Sequence, residues 1–534
     1  MFEIPAALTW STGIARRAAS LFVIVIATLG LGIGAAAAQQ VILRAKGGDF
    51  AFSGRLKSQS TGTFVVETPS GEIALASAEF ECIGHGCPTN AAPAAGAAEQ
   101  LPIHGSNTIG AALMPALILG YASSLGLRVE QTSGDNRNEL RFRVRDSQRG
   151  DQAAIDLQHY GSGSGLAALA KGAAAIAMSS RVISDSEARA LAPRVPSTEI
   201  GRNEHVIGLD AIVVIVARDN PLKSLTIDQI ARVFSGQLTD WQQLGLAPAP
   251  ITVFAAEAGS GAYDAFSELV LRPRNLVPGA LVRRLEANAE LVGAVAADPH
   301  AIGFASLASA RRVQPDEQPS VQPVAIQGTC GLVTDATAIN VKTEEYPLSR
   351  RLYLYTAGQP HGAFARGLLD FSLAAGGQAV VKGARFVDQS IDTVTFVEQS
   401  RRYDANAARA LVGDVGTARR LSVAVRFASG SSDFQSKSRA DIARLADFLL
   451  AAERQRKPVV LAGFSDQLGT PVANARLSRK RADQVRTALL AATKGRLDPR
   501  LIVAKGYGAL APVACNDTAN GQQLNRRVEV WIKG

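Results

Sequence analysis

The sequence has few of the residues that mark nucleic-acid surfaces. Its 534 residues include 4 cysteines, 6 histidines and 3 tryptophans, and aromatic residues make up only 6%. No basic patch is interleaved with aromatic residues, as base stacking would require, and the net charge of +9 is modest for this length. The composition therefore predicts no nucleic-acid partner and only weakly favours anionic ones.

Motifs for nucleophilic and metal-dependent catalysis are also missing. The segments "YGSGSGL" and "AGSGAY" do not fit the G-x-S-x-G pattern of a nucleophile elbow. No two histidines stand at the i, i+4 spacing of a helical metal site. We therefore expect a protein that is not an enzyme and that has no cofactor and no metal. A secreted phosphohydrolase stays open as an alternative, because His104 and His159 flank two serine-glycine segments.

One apolar run is long enough to concern a membrane, and it lies at the N-terminus. Arg16 and Arg17 precede "LFVIVIATLGLGIGAAAAQQ", which ends in small residues. This order predicts a secretory signal peptide over residues 1–38, and a retained membrane anchor is the alternative. No cysteine follows the small residues, so we expect no lipid anchor. The mature chain is expected in the periplasm or cell envelope.

The cysteines fit an oxidising compartment. Cys82 and Cys87 lie in "ECIGHGCP", close enough to form a small disulfide loop. A metal site that adds His85 to this pair is the alternative, although it lacks a fourth ligand. Cys330 and Cys515 are isolated in sequence, and they are either buried thiols or partners across domains.

The chain is predicted to be an α/β protein of several domains. Short β-rich runs with Gly/Ser turns indicate a small β unit, and alternating strand-like and helix-like segments indicate two α/β domains. Ala/Pro/Gly-rich composition marks the linkers. The predicted order is a β unit at 39–90, a linker at 91–100, an α/β domain at 101–395, a linker at 396–420 and an α/β domain at 421–534.

The first α/β domain repeats one local design three times. A strand-like run, a Gly/Ser loop and a helix-like run follow one another around 105–108, 161–165 and 259–261. A helix N-terminus offers unpaired N–H groups, glycine allows a close approach, and serine or threonine adds neutral donors. Each loop alone is often only a turn and a cap. Three in one domain are typical of a site for a dehydrated oxyanion.

These loops, with "AIAMSSRVISDSE" and "DPHAIGFASLA", resemble the PstS-like phosphate-binding proteins of transporters. The resemblance implies a two-lobed type II periplasmic-binding-protein fold, phosphate or a related oxyanion as ligand, and a possible ABC-transporter permease as partner. The third loop departs from the family, because alanines in "FAAEAGSGAYDAF" replace its usual arginine and threonine. A structural envelope protein with a degenerate binding domain is therefore an alternative. The ligand contacts implied are Ser106, Thr108, Ser162, Ser164, Arg181 and Ser260.

In the C-terminal domain, Asp466 follows a strand-like run and Arg481 lies in a helix-like run that begins at Thr470 and Pro471. Arg481 falls on or beside the predicted packing stripe, and a half-buried arginine needs an acceptor. A structural Asp–Arg ion pair is one interpretation, and a receptor for a ligand that carries both charges is the other. The predicted stripe comprises Leu477, Ala482, Val485, Leu489 and Ala492.

The segments "FSDQLGTPVANARLSRKRADQV" and "AKGYGALAPVACNDTANGQQLNRRVEV" resemble the OmpA-like C-terminal domain, a βαβ domain. The resemblance implies non-covalent binding of peptidoglycan through the diaminopimelate of its stem peptide. Phe464 and Ser465 depart from the common His-Thr. We expect a periplasmic solute-binding protein that this domain fastens to the cell wall. The wall contacts implied are Asp466, Asn474, Leu477, Arg481, Asn525 and Arg527.

Overall fold

The computed structural model describes residues 40–45, 51–60, 63–68, 71–76, 80–83 and 98–534, apart from 259, 286–287, 311–319, 401, 428–432 and 454–455. The predicted signal peptide lies outside the described residues. The chain divides into two compact units, Met1–Pro93 and Ala94–Gly534. Within the described part of the chain, no helix combines the length and apolarity needed to cross a membrane.

The first unit contains an antiparallel sheet with the strand order β4-β3-β2-β1-β5. Alternate residues of β3, Phe64 and Val66, are buried, as expected for a strand with one face toward a core. Cys82 in β5 is disulfide-bonded, while Cys87 lies outside the described residues. The sheet matches the predicted small β unit. Its strands are β1 (Gln40–Ala45), β2 (Ala51–Ser60), β3 (Thr63–Thr68), β4 (Gly71–Ala76) and β5 (Phe80–Ile83).

The second unit begins with an α/β domain built on an 11-stranded mixed sheet. The strands of this domain, including those outside the large sheet, are β6 (Glu99–Gly105), β7 (Arg128–Ser133), β8 (Glu139–Asp146), β9 (Gly150–Gln158), β10 (Ile176–Ser179), β11 (Glu204–Ala217), β12 (Ser224–Thr226), β13 (Thr252–Ala256), β14 (Arg283–Leu285), β15 (Ala301–Ser306), β16 (Val321–Pro323), β17 (Ala325–Gln327), β18 (Val333–Thr334) and β19 (Ser349–Thr356). Strands β12, β17 and β18 form a separate small sheet.

Helices cover both faces of the large sheet. They are α1 (Met114–Ser124), α2 (Ser162–Lys171), α3 (Asp185–Leu191), α4 (Ile227–Phe234), α5 (Gly261–Phe266), α6 (Asn288–Ala297), α7 (Leu307–Ala310), α8 (Ala338–Lys342), α9 (Ala363–Leu373) and α10 (Ala375–Gly383). Short 3-10 or π-helical turns lie at Ile109–Leu113, Ser197–Arg202, Trp241–Leu244, Ser267–Leu271 and Arg272–Arg274.

Two lobes with separate cores share this sheet. The first lobe packs α1, α9 and α10 against β6, β8, β9 and β10, and the second packs α4 to α7 against β11, β13 and β15. Strand β11 pairs with β19 over Glu204–Ala211 and with β15 over Ile212–Val216, so it passes from one lobe into the other. Its apolar run "IVVIVA" is buried on both faces, as in a sheet covered by helices. The predicted two-lobed fold is confirmed.

The C-terminal domain is a five-stranded sheet of order β20-β21-β24-β22-β23. Helices α13 and α14 pack on one face. Its elements are β20 (Thr393–Thr395), α11 (Phe396–Ser400), α12 (Ala405–Val415), β21 (Ala418–Arg426), α13 (Ser436–Glu453), β22 (Val459–Gly463), α14 (Pro471–Ala492), β23 (Ile502–Gly506), α15 (Ala519–Asn525) and β24 (Arg527–Lys533), with a 3-10 turn at Pro499–Leu501.

The stretch 396–420 is part of this domain and not a linker. Its helix α12 begins after Asp404, whose carboxylate caps the backbone N–H groups of Asn406 and Ala407. Leu411 and Val415 stand four residues apart and are completely buried against the second face of the sheet. The composition that predicted a linker therefore belongs to an alanine-rich packing helix.

Buried ion pairs fix the C-terminal domain against the lobes. Glu345 follows α8 and is 0% exposed, and it accepts hydrogen bonds from Arg420 of β21 and from Arg402, the latter at 2.7 Å. The neighbouring Glu344 accepts from Arg426 at 3.2 Å. Buried carboxylates need such partners because water cannot solvate them. The two domains consequently share a closely packed charged interface.

A disulfide adds a covalent link across the same two domains. Cys330 follows β17 in the second lobe, and Cys515 lies in the loop before α15. The two residues are 185 positions apart in sequence with Cα atoms 5.6 Å apart. Sequence reasoning left the state of these two cysteines open, and the structure assigns them to each other.

Candidate functional sites

A cavity of about 360 Å³ lies beside the first and third Gly/Ser loops. Of the six sequence-predicted ligand contacts, Thr108 and Ser260 line it. Ser260 is the N-cap of α5, and its Oγ accepts from the backbone N–H of Tyr263 at 3.2 Å. The two loops touch, because a Cβ on Gly261 would lie 2.2 Å from Thr108 Oγ1. Glycine at this position therefore permits the close approach of the loops.

Arg350 is the buried charged donor in this cavity, whose lining also includes the exposed Arg385, and sequence reasoning missed Arg350. The residue is 8% exposed and lies on β19 directly opposite Asp210 of β11. Its Nη2 donates to Asp210 Oδ2 at 2.9 Å, to Thr108 Oγ1 at 2.8 Å and to the carbonyl oxygen of Gly261 at 3.0 Å. Its Nη1 is buried and has no acceptor among the described residues. An unpaired N–H in a buried guanidinium is costly, so this atom suits an incoming anion.

A signal for the pair was present in the sequence. Asp210 is a single charge that interrupts "GLDAIVVIV", and Arg350, with Arg351 beside it, opens the largely apolar run "RRLYLYT". Charged side chains are almost never buried without a partner. Two such charges in one domain indicate a buried ion pair, although they do not show which strands are neighbours.

Ser162 and Ser164, in the second loop, bond within the protein. Ser162 Oγ accepts from the backbone N–H of Ser180 at 3.1 Å, and Ser164 Oγ donates to the carbonyl oxygen of Gly161 at 2.8 Å. Ser106 of the first loop is 1% exposed, and its backbone N–H donates to the carbonyl oxygen of Met178. None of these three residues lines the cavity.

Arg181 was expected to hold an oxyanion, but its guanidinium already grips a carboxylate. Its Nη1 and Nη2 donate to the two carboxylate oxygens of Glu187 at 2.8 and 2.7 Å. These hydrogen bonds from Arg181 lower the pKa of Glu187 to about 2. Glu268 of the second lobe lies 3.7 Å from the same guanidinium. In this arrangement of the lobes, the two donors of Arg181 that were predicted to hold an oxyanion are bonded to Glu187.

The two histidines considered for catalysis are both partly or fully buried. His104 Nε2 lies 3.5 Å from Asp156, and His159 lines the cavity. Burial lowers the pKa of His159, which favours its neutral form. Within the described part of the chain, no hydrogen bond joins either histidine to a serine of the loops. The geometry thus gives no support to a serine nucleophile.

The C-terminal domain places Asp466 at the end of β22, as predicted. Its Oδ1 accepts from the backbone N–H of Leu468 at 2.9 Å. Its Oδ2 accepts from Nη1 of Arg526 at 2.8 Å. The carboxylate is therefore held in place, with 10% of the side chain still exposed. Arg526 precedes β24 and was not among the predicted residues.

Arg481 lies close to Asp466 but is not bonded to it. Its guanidinium stands 5.7 Å from the centre of the Phe427 ring, and its Nη1 is buried without an acceptor among the described residues. Burial and the nearby charge of Arg526 lower the pKa of Arg481, and Asp466 opposes this shift. The structural Asp466–Arg481 ion pair is absent from the described residues. Arg481 therefore has a donor available beside a carboxylate.

Of the other predicted wall contacts, Asn474 and Asn525 shape the loops around this site. Asn474 Nδ2 donates to the carbonyl oxygen of Asp466 at 3.3 Å. Asn525 is 1% exposed, and its Oδ1 accepts from the backbone N–H groups of Val513 and Ala514. Both residues therefore position backbone.

Leu477 and Arg527 differ from expectation in opposite directions. Leu477 is 42% exposed and does not pack in the core stripe of α14, so it is free to contact a ligand. Arg527 is 0% exposed. Its guanidinium lies over the Phe464 ring, and its Nη2 forms an ion pair with Glu529 Oε1 at 2.7 Å. Arg527 is thus completely buried and paired within the domain, which leaves its predicted contact with the wall without structural support.

Comparison with known proteins defines the class of both domains. Residues 147–375 match the family model described as a PBP superfamily domain, and residues 426–526 match the model of the OmpA family. The chain is therefore similar to a PBP superfamily domain over the first segment and to the OmpA family over the second.

Particular relatives match one domain each. Outer membrane porin F of Pseudomonas fluorescens is 37% identical over 114 residues, which are 21% of this chain and 33% of the porin. Phosphate-binding protein PstS of Pseudomonas aeruginosa is 27% identical over 220 residues, which are 39% of this chain and 64% of that protein. A putative phosphate ABC transporter substrate-binding protein from Clostridium perfringens, solved with bound phosphate, is 24% identical, with 54% of this chain and 99% of that chain covered and a TM-score of 0.38. The chain thus spans less than two thirds of the length of the first two.

Proposed function

We propose that this protein is a solute-binding protein of the cell envelope that captures an oxyanion in its lobes and is anchored to peptidoglycan by its C-terminal domain. The observation that carries the proposal is the pair Asp466 and Arg481. The two side chains lie near each other, are not bonded to each other, and leave Nη1 of Arg481 without an acceptor among the described residues. Such an arrangement suits a ligand that brings both charges.

The terminus of diaminopimelate is such a ligand. It carries one ammonium and one carboxylate on the same carbon. Asp466 would accept the ammonium protons and share its carboxylate with Arg526, while Arg481 would donate to the ligand carboxylate. Exposed Leu477 and Leu468 would contact the aliphatic part of the stem peptide.

The anchoring is tested by cosedimentation of the full chain with purified sacculi that contain diaminopimelate. Asp466→Ala and Arg481→Ala should each lose binding, because truncating one partner of a desolvated pair costs about 2–5 kcal/mol. Arg476→Ala is the matched control, since Arg476 is exposed on the same helix. Equal sedimentation of all four proteins would refute the anchor.

The lobes supply the second half of the proposal. Thr108 and Ser260 of the first and third loops face the same cavity as Arg350, whose Nη1 has no acceptor among the described residues. The relative named a phosphate-binding protein supports an oxyanion as ligand. An ABC-transporter permease as partner is a further part of this proposal. Calorimetric titration with phosphate, sulfate and molybdate tests this half for inorganic ligands, and no heat with any of them would remove an inorganic oxyanion as the ligand.

One observation favours a second candidate function, a structural envelope protein with lobes that no longer bind solute. Arg350 already bonds Asp210 and both loops, and Arg181 already bonds Glu187. These internal bonds occupy guanidinium donors that a bound anion would otherwise use. A thermal shift separates the two functions, because a ligand that binds only the folded state raises its stability.

A further inference from the structure

We propose that the cavity beside Arg350 takes an organic monoanion, a carboxylate with an apolar arm, in preference to inorganic phosphate. This inference rests on the proposed anion-binding function of the lobes and specifies the class of ligand. The first reason is size. A water molecule, with its one non-hydrogen atom, takes up about 30 Å³ of liquid. The cavity of about 360 Å³ therefore has room for a ligand of roughly a dozen non-hydrogen atoms. Inorganic phosphate alone would leave most of it to water.

The second reason is charge. Asp210 accepts two hydrogen bonds from Arg350, at 3.2 Å from Nε and 2.9 Å from Nη2, so the pair is close to neutral. The remaining donor of the guanidinium is Nη1. A ligand with one negative charge can use this donor at little cost. A dianion would bring a second charge close to the Asp210 carboxylate, and like charges in a buried site repel strongly.

The third reason is the set of neutral donors around Nη1. Thr108 Oγ1 accepts from Arg350, and Ser260 Oγ accepts from the backbone of Tyr263. Because each hydroxyl accepts these bonds through a lone pair, each keeps its own hydrogen for a ligand oxygen. One carboxylate, with about four lone-pair sites, can accept hydrogen bonds from two hydroxyls and one guanidinium N–H together. His159, whose pKa is lowered by burial, adds no positive charge near neutral pH.

The fourth reason is the apolar wall of the cavity, beside which Asn107, Asn138 and Arg385 form part of the lining. Small-molecule sites commonly combine a mainly apolar lining with a few polar groups that fix orientation. The wall residues are Ala111, Ala112, Ala262, Ala384 and Phe386. An aliphatic or aromatic arm on the carboxylate would bury its surface there, whereas inorganic phosphate would gain nothing from it.

The test is calorimetric titration of the full chain with inorganic phosphate, acetate and hexanoate. We expect hexanoate to bind at least about tenfold more tightly than acetate and phosphate, because four more methylenes are buried. Ala112→Trp should weaken hexanoate binding at least tenfold by filling the cavity, since Ala112 is exposed on the turn that follows Thr108. Leu119→Trp, an exposed position on α1 outside the cavity, is the matched control and should bind as the wild type does.

The outcomes separate this inference from the proposed function. Tight phosphate binding with no preference for hexanoate would overturn the inference and leave the oxyanion function standing. No heat with any of the three anions would overturn both. Hexanoate binding that is equal in Ala112→Trp and wild type would overturn the assignment to this cavity, and Ala111→Phe is a second cavity-filling variant if Ala112→Trp does not fold.

Discussion

Arg350 in the lobes and Arg481 in the C-terminal domain present one chemical group in two different states. Arg350 lies in an apolar strand and is bonded to a carboxylate, a hydroxyl and a backbone carbonyl of its own chain. Arg481 lies on a helix beside an aromatic ring, and none of its hydrogen bonds within the described residues reaches Asp466. Both keep one buried Nη1 without an acceptor there.

The difference shows how a guanidinium can serve either the fold or a ligand. An arginine with internal acceptors stabilises the contact between elements even when no ligand is bound, and its remaining donor selects what enters. An arginine without internal acceptors adds little to stability, and its donors are paired only when an external anion binds. The lobes are therefore expected to lose stability when their arginine pair is broken, and the C-terminal domain is expected to lose binding.

The largest expected effect is on the stability of the lobes. Asp210→Ala would leave Arg350 buried without its carboxylate, which should lower the free energy of unfolding by about 3–5 kcal/mol. Asp228→Ala, at an exposed position of the second lobe, is the control and should change it by less than about 0.5 kcal/mol. Urea denaturation measures both, and a loss below about 1 kcal/mol for Asp210→Ala would show that Arg350 is not held as described.

The next effect concerns the link between the two regions. Replacing both Cys330 and Cys515 with serine removes the disulfide between the second lobe and the C-terminal domain. Disulfides typically contribute about 2–4 kcal/mol by restricting the unfolded chain. We expect a lower thermal unfolding temperature without loss of sacculus binding, since the Asp466 and Arg481 side chains are untouched. A loss of binding would show that the covalent link shapes the wall site.

The pH dependence of stability is the next difference between the regions, because the two histidines whose pKa burial lowers, His159 and His205, both lie in the lobes. Burial lowers the pKa of His205 on β11 to about 4. The unfolded chain therefore binds this proton first, and the stability present above about pH 6.5 is lost as pH falls toward 4, by roughly 2–3 kcal/mol. His205→Gln should flatten the profile between these pH values. If the slope of unfolding free energy against pH is the same in His205→Gln and wild type, groups other than His205 cause the pH dependence.

The smallest expected effect is at Arg526. Its bond to Asp466 is partly exposed to solvent, so Arg526→Ala should change sacculus affinity by less than about fivefold, or about 1 kcal/mol. Cosedimentation at several protein concentrations resolves such a difference. If this variant lost binding as completely as Arg481→Ala, the ligand carboxylate would have to be assigned to Arg526, and the comparison between Arg350 and Arg481 would no longer hold.

Local chemistry explains what the sequence predicted. Ser260 caps α5 by a bond to a backbone N–H three residues away, a local interaction that a Gly/Ser loop before a helix predicts. Thr108 makes no such side-chain cap bond, and both residues were predicted as ligand contacts from the family resemblance. Likewise Asp466 at a strand end and Arg481 on the next helix are neighbours along the chain. The family resemblances supplied the two-lobed fold and the OmpA-like domain.

Long-range pairing explains what the sequence did not predict. Arg350 meets Asp210 across 140 positions, and only the strand order brings them together. Arg526 and Arg527 are adjacent, and the direction in which β24 begins decides which one faces Asp466 and which one is buried on Glu529. For 396–420, alanine-rich composition concealed the i, i+4 pair of Leu411 and Val415 that packs α12.

The central claim is that Asp466 and Arg481 together recognise a group with both charges. Free meso-diaminopimelate and a lysine blocked at both alpha groups, Nα-acetyl-L-lysine amide, test it directly as competitors for sacculus binding, because the blocked lysine has a side-chain ammonium but no carboxylate. The account predicts that diaminopimelate releases the wild-type protein from sacculi at a concentration at least about tenfold below that of the blocked lysine. Equal release by the two compounds would contradict it.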